Sequence, residues 1–283
     1  MPVINTNVNA LFAQNALKTN SRNLSSAMEQ LSTGTRINSA KDDAAGLAIT
    51  NIMTSNIRGL SQAVRNANDG INLAQTAEGA MIEQTNMLQR MRELAVQSST
   101  ATYSSAQQGY LDTEFQALNT QIDNIAKQTT WNGDAILQGN KGSDSKGNYS
   151  IIVGADNGAM GLASITVTID DVGTNAATGL ATAGSSIADS TKATTAITTI
   201  DTALSKINTA RSKLGASINQ LTYAADNLNN VVQNTTASRS QILDTDYATA
   251  TTKLASSQII AQAATAMLAQ ANQSQQSVLA LLK

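Results

Sequence analysis

Apolar residues recur along the chain at a stride of seven. From Met53 the row runs through Leu60, Ala67, Ala74, Met81, Leu88 and Ala95, and Ile57, Val64 and Ile71 widen it. A row sustained over this length predicts a long helix packed along its length on another helix. The partner lies far along the chain, where Ile200, Ile207, Leu214, Leu221 and Leu228 keep the same stride, flanked by Ile197, Leu204, Ile218, Ala225 and Val232. Two shorter rows occupy the extremities. Val3, Ala10, Leu17, Leu24 and Leu31 form the first; Tyr247, Leu254, Ala261 and Leu268, resuming at Leu282, form the second. The order is nearly palindromic, so the chain is expected to run out, return and pair its two ends.

The middle is different in kind. From Trp131, Asn-Gly and Gly-rich turns separate short β-rich runs, and "SITVTID" alternates with Ile165, Val167 and Ile169 on one face. A few strands or hairpins over residues 131–172 are expected to close the far end of a helical rod. Residues 173–196, rich in Thr, Ala, Ser and Gly, read as a short variable surface tip. The expected fold class is mainly α: a long coiled-coil-like helical rod with paired N- and C-terminal helices and a small β-region. Its organisation is read as terminal helices at 1–43 and 240–283 around a domain spanning 44–239.

Composition then removes most chemistry. The 283 residues include no Cys and no His, so thiol nucleophiles, imidazole bases and the common transition-metal ligands are absent. Charged residues are 13% of the chain, and a net charge of -2 gives no basic footprint for nucleic acid. Aromatics at 3% leave the packing to Ala, Leu, Ile and Met, which suits narrow helix seams. No cofactor and no metal are expected. The start lacks a basic region followed by an apolar run, and no stretch reaches the roughly 18 apolar residues of a membrane helix. The chain is therefore read as cytoplasmic or as exported without a cleaved signal peptide, with no membrane partner.

Two adjacent carboxylates, Asp42 and Asp43, stand at the start of the first long row. Ser39 and Asp42 have the spacing of a capping box, and acids in a first turn favour the positive end of the helix dipole. Ser39, Asp42 and Asp43 are read as a helix cap. A catalytic pair would need a partner acid or a metal ligand, and nothing nearby in the sequence supplies one.

Four ordered segments, "LSTGTRINSAKDDAAGLAI", "LQRMRELAVQS", "SRSQILDTDYA" and "MLAQANQSQQSVLALLK", resemble signatures of the bacterial flagellins, a likeness spanning about residues 1–140 and 195–283. The resemblance implies a non-catalytic, extracellular subunit that polymerises with copies of itself into the flagellar filament. Its paired terminal helices would line the inner tube, with Val3, Ala10, Leu17, Leu24, Leu31, Tyr247, Leu254, Ala261, Leu268 and Leu282 as the packing positions. It also implies an export chaperone, cap and hook-associated proteins as partners, and recognition of the monomer by the host Toll-like receptor that senses flagellin. The family's recognition residues match Arg90, Leu94 and Glu114. Gln89, Arg90, Glu93, Leu94 and Gln97 are read as one helical face, with Glu114 following on the next helix. Two alternatives stand beside this reading: a hook-filament junction protein of the same superfamily, and an enzyme or ligand-binding protein carried on a coiled-coil stalk.

Overall fold

The computed structural model describes residues 6–139, 147–154, 163–174 and 179–280, with side chains to residue 274. Five helices occur among the described residues: α1 (Val8–Thr33), α2 (Ala44–Ser99), α3 (Ser105–Gln128), α4 (Ser190–Leu243) and α5 (Tyr247–Ala280). Two antiparallel strand pairs accompany them, β1 (Thr130–Trp131) with β2 (Asp134–Ala135), and β3 (Asn148–Ile152) with β4 (Ser164–Thr168). Val3 and Leu282 lie outside the described residues. The chain divides into a unit of residues 1–55 with 233–283 and a unit of residues 56–232. That division falls about three turns inside α2 and α4, whereas the sequence reading sets it at 43/44 and 239/240.

Each helix opens on a residue that satisfies its first free N–H groups. Asn7 does so for α1, and Ser104 with Gln107 builds a capping box for α3. The long helices use acids. Asp43 accepts from the Gly46 N–H at 2.8 Å, Asp189 from the Thr191 N–H at 2.7 Å, and Asp246 from the Ala248 N–H at 2.9 Å. Helix α1 ends at Gly34, whose φ of 71° places it in the left-handed region that glycine adopts without strain.

In the unit of residues 56–232, α2 runs antiparallel to α4. Arg92 pairs with Asp201 at 2.7 Å, and nearer the start of α2, Glu78 pairs with Arg211 at 3.5 Å. The expected rows are inside: Ala67, Ala74, Met81, Leu88 and Ala95 face Ile200, Ile207, Leu214 and Leu221 within one buried cluster. A second heptad row lies beside each, three positions on. In α2 it is Ala63, Gly70, Ala77, Gln84, Met91 and Ser98, and in α4 it is Ala196, Ala203, Ala210 and Ser217; all are buried. Helix α3 folds back antiparallel on the end of α2, with Phe115 and Ile122 fully enclosed.

The β-region does not close the end of this bundle. It is laid lengthwise along α2. Asn66 donates to the Ile152 carbonyl, Gln84 to the Val172 carbonyl, and Ser98 to the Ile187 carbonyl, so the contact advances with the helix. The physical reason is the second row. Ala63, Gly70, Ala77 and Ser98 keep that surface of α2 low, and Val167, Ile169, Val172, Leu180 and Ile187, all buried, belong to the same core cluster. At Gly70 the fit is tight, since a Cβ there would stand 2.9 Å from Ile151 Cγ1 and 3.1 Å from Leu221 Cδ1. The expected surface tip at 173–196 is corrected by the same packing: Leu180, Thr182, Ile187, Ala193 and Ala196 are buried, and residues from Ser190 onward already belong to α4.

Candidate functional site

The terminal helices α1 and α5 pair antiparallel, with close backbone approach. Asn7 donates to the Ala271 carbonyl at 3.1 Å, Asn20 to the Ser257 carbonyl at 2.7 Å, and the Tyr247 hydroxyl to the Leu31 carbonyl at 3.2 Å. The expected positions Ala10, Leu17, Leu24, Leu31, Leu254, Ala261 and Leu268 are half-buried along this seam, while Tyr247 is exposed apart from its hydroxyl contact. The most enclosed positions form the companion row, Asn20, Ala27, Ala250 and Ser257. Small and amide side chains let the two backbones close up, and an apolar search passes over them.

Much apolar surface on this pair has no cover. Phe12 is 71% exposed, Met267 66% and Ile259 66%, with Leu11, Met28 and Ile260 also exposed. Phe12, Ala16, Ile260, Ala263 and Met267 line an open groove between the two helices.

The loops joining α1 to α2 and α4 to α5 are pinned to each other. Thr35 and Asp244 form a β-bridge, and the Arg36 N–H donates to the Leu243 carbonyl at 2.7 Å. The Arg36 guanidinium adds two bonds to the Ile242 carbonyl, at 3.2 and 2.6 Å. Here the expected cap is redistributed. Asp43 caps α2, whereas Asp42 accepts from the Ser39 hydroxyl and N–H at 2.9 Å each and from the Asn38 N–H at 3.2 Å, closing the turn ahead of the helix. The Ser39 hydroxyl donates to that carboxylate and does not reach the helix end. This bonding, led by the Ser39 hydroxyl, holds Asp42 below the ordinary carboxylate range.

A second surface lies where α3 folds back on α2. Gln89, Arg90, Glu93 and Gln97 are exposed on α2, and Arg90 bridges the two helices. Its Nε donates to Glu114 Oε1 at 3.0 Å, its Nη2 lies 2.9 Å from the same oxygen, and its Nη1 reaches Glu93 Oε2 at 3.1 Å. These bonds, Glu114's first, hold the Arg90 pKa above its ordinary value. Gln97 donates to the Tyr103 hydroxyl at 3.1 Å. Leu94 does not share the face. It is 1% exposed and belongs to the core, on the row of Leu73, Ala80 and Met87 that turns inward. A step of four from Arg90 is 400° of helix, and the extra 40° carries Leu94 off the exposed face and into the core.

Comparison with known proteins reaches nearly the whole chain. A family model of the bacterial flagellin N-terminal helical region matches residues 4–142, and one of the bacterial flagellin C-terminal helical region matches residues 197–282. A flagellin of Halalkalibacterium halodurans is 43% identical over 281 residues, covering 99% of this chain and 100% of its own. Flagellin B of Vibrio cholerae is 34% identical, with 99% of each chain covered. Among solved structures, a putative flagellar hook-associated protein from Vibrio parahaemolyticus aligns with a TM-score of 0.58 at 12% identity, over 72% of this chain and 100% of that one, a likeness of fold alone.

Proposed function

This chain belongs to the bacterial flagellin family and is a structural subunit of the extracellular flagellar filament, not an enzyme; on that premise we propose that α1 and α5 line the filament's inner core, with the residues between them forming its outer tube. The observation that carries the reading is the uncovered apolar face of the terminal pair, Phe12, Ile259 and Met267 foremost. A contiguous exposed apolar surface marks an interface, and in an open filament each copy meets its neighbours through complementary surfaces. Burial of that face is what couples incorporation of a subunit to ordering of its ends. The same reading supplies the finer partners: an export chaperone that shields the terminal helices, and cap and hook-associated proteins at the filament ends, reached by export without a cleaved signal peptide. Removing residues from Tyr247 onward tests the core assignment. The truncated chain stays helical and soluble but does not sediment as filaments after seeding; normal filaments from it would overturn the assignment.

A second activity is favoured by the Arg90 cluster. A planar guanidinium ringed by Gln89, Glu93, Gln97 and Glu114 on an exposed two-helix face has the make-up of a binding hot spot. The monomer is recognised there by the host flagellin-sensing Toll-like receptor, and assembly covers the face. Reporter cells exposed to monomer and to intact filament test this: the monomer signals strongly and the filament weakly, and equal potency refutes it.

A further inference from the structure

One residue outside α2 and α3 touches both with its backbone. Ile187 lies in the segment Gly179–Asp189, which has no helix or strand of its own and crosses the two helices near their junction. Its N–H donates to Asp112 Oδ1 of α3 at 2.7 Å, and its carbonyl accepts from the Ser98 hydroxyl of α2 at 2.5 Å. Its side chain is fully buried, as is Ser98. Two neighbouring bonds act in the same sense: Gln116 of α3 donates to the Ser185 carbonyl at 2.7 Å, and Gln108 of α3 donates to the Ser98 carbonyl at 2.9 Å.

These contacts fix how far α3 is drawn along α2. Ser98 lies about two turns beyond Arg90 on α2, and Asp112 lies two residues before Glu114 on α3. The Arg90–Glu114 pair is half-exposed and spans the same two helices. An exposed ion pair contributes little and does not hold two helices in register by itself. The bond to Ser98 is buried, where a lost partner leaves a polar group unpaired, and the bond to Asp112 is part-buried. The stiffer contact therefore sets the geometry of the weaker one.

We infer that Ile187 is a positioning residue for the Arg90–Glu114 pair: its backbone staples the end of α2 to α3 and thereby sets the arrangement in which the guanidinium is presented. The consequence for signalling rests on the receptor reading above; the consequence for the ion pair does not. Position 187 lies 73 residues beyond Glu114 and touches neither member of the pair, so a surface map of the cluster misses it.

The test uses the full chain with Asp112→Ala, which removes the acceptor, and Asp112→Asn, which keeps an oxygen in its place. The readout is solvent exchange of the Arg90 Nε–H by nuclear magnetic resonance, with circular dichroism alongside. Asp112→Ala is expected to speed exchange roughly tenfold, the upper range for one hydrogen bond's effect on a local opening, with helix content unchanged. Asp112→Asn restores most of the protection. Ser98→Ala, which cuts the other arm of the staple, repeats the loss and keeps the test decisive if Asp112→Ala folds poorly. Unchanged Arg90 Nε–H exchange in both Asp112→Ala and Ser98→Ala overturns the inference. Receptor signalling is measured in parallel. A wild-type monomer that does not signal refutes the receptor reading and leaves the exchange result to decide the staple.

Discussion

Asn20 of α1 and Ser257 of α5, 237 positions apart, are joined in the middle of the seam by a hydrogen bond of 2.7 Å from the Asn20 amide to the Ser257 carbonyl. Both are buried, and a slip of the two helices would carry the amide away from this carbonyl. A buried amide in a heptad seam favours one register at a cost in stability. Asn20→Leu is therefore expected to strengthen the pairing and loosen its alignment, while Asn20→Ala weakens it by about 1 kcal/mol. Because the chain has no cysteine, paired substitutions report alignment directly. Ala27→Cys with Ala250→Cys cross-links in the native register, and Ala27→Cys with Ser257→Cys, one heptad away, gains cross-linking only with Asn20→Leu. Equal cross-linking of the slipped pair with and without Asn20 would remove the register role.

On the proposed receptor reading, Arg90 and Leu94 separate recognition from stability on one helix. Arg90→Ala leaves the fold intact and weakens receptor binding by about 1–3 kcal/mol, the usual loss for an anchor. Arg90→Lys keeps the charge without the planar fork and recovers part of that loss. Leu94→Ala opens a cavity beneath the face and lowers unfolding free energy by about 2–5 kcal/mol. Chemical denaturation and reporter-cell curves on the same preparations check both. A Leu94→Ala protein of unchanged stability but lost signalling would return Leu94 to the surface role expected from sequence.

The exposed groove of the terminal pair gives a third expectation. Phe12→Ser with Met267→Ser removes two large apolar groups that the monomer leaves in water, so monomer stability changes by no more than about 0.5 kcal/mol per site. Polymerisation suffers more, because every copy loses both groups from its contacts. The measured quantity is the critical concentration for seeded growth, expected to rise severalfold; an unchanged value would place the groove outside the interface.

What was legible in the sequence follows from which half of each seam is apolar. The rows through Leu88, Leu214, Leu17 and Leu254 stand out at a stride of seven, and they revealed the helices and the return of the chain. Their companions, Gln84, Ser217, Asn20 and Ser257, sit three positions away or nearby in the same seams and are more deeply enclosed than many leucines. Built from small and amide residues, they carry no hydropathy signal. The low surface that Ala63, Gly70, Ala77 and Ser98 leave along α2 is also why the β-region lies lengthwise, so that error and the surface-tip error share one cause. The exposed members of the Arg90 cluster were readable from helical spacing. The Ile187 staple was not, because it acts through a backbone whose position depends on the tertiary path of residues 179–189.

The acid end of the pH range tests the charged contacts that tie the second unit together. Arg92 bonds Asp201 across α2 and α4, and this hydrogen bond, ahead of the charge itself, lowers the Asp201 pKa from its ordinary 3.8. Arg92 is moved the other way, upward, and stays charged throughout. A carboxylate with a lowered folded pKa binds fewer protons folded than unfolded, so its contribution is complete above the ordinary value. It is lost as pH falls through the folded one. Stability should therefore rise with pH across that window and then level off. Asp189 and Asp246, whose carboxylates cap α4 and α5, are lowered in the same direction and steepen the fall. Asp201→Asn isolates the single pair. Its stability deficit against wild type is constant from neutral pH down to about the ordinary carboxylate value and shrinks below it. High salt reduces the deficit at neutral pH, since both side chains are about half-exposed. Denaturant midpoints for the two proteins at neutral and acid pH, at low and high salt, measure all of this, and a deficit that grows on acidification would reverse the assigned sign.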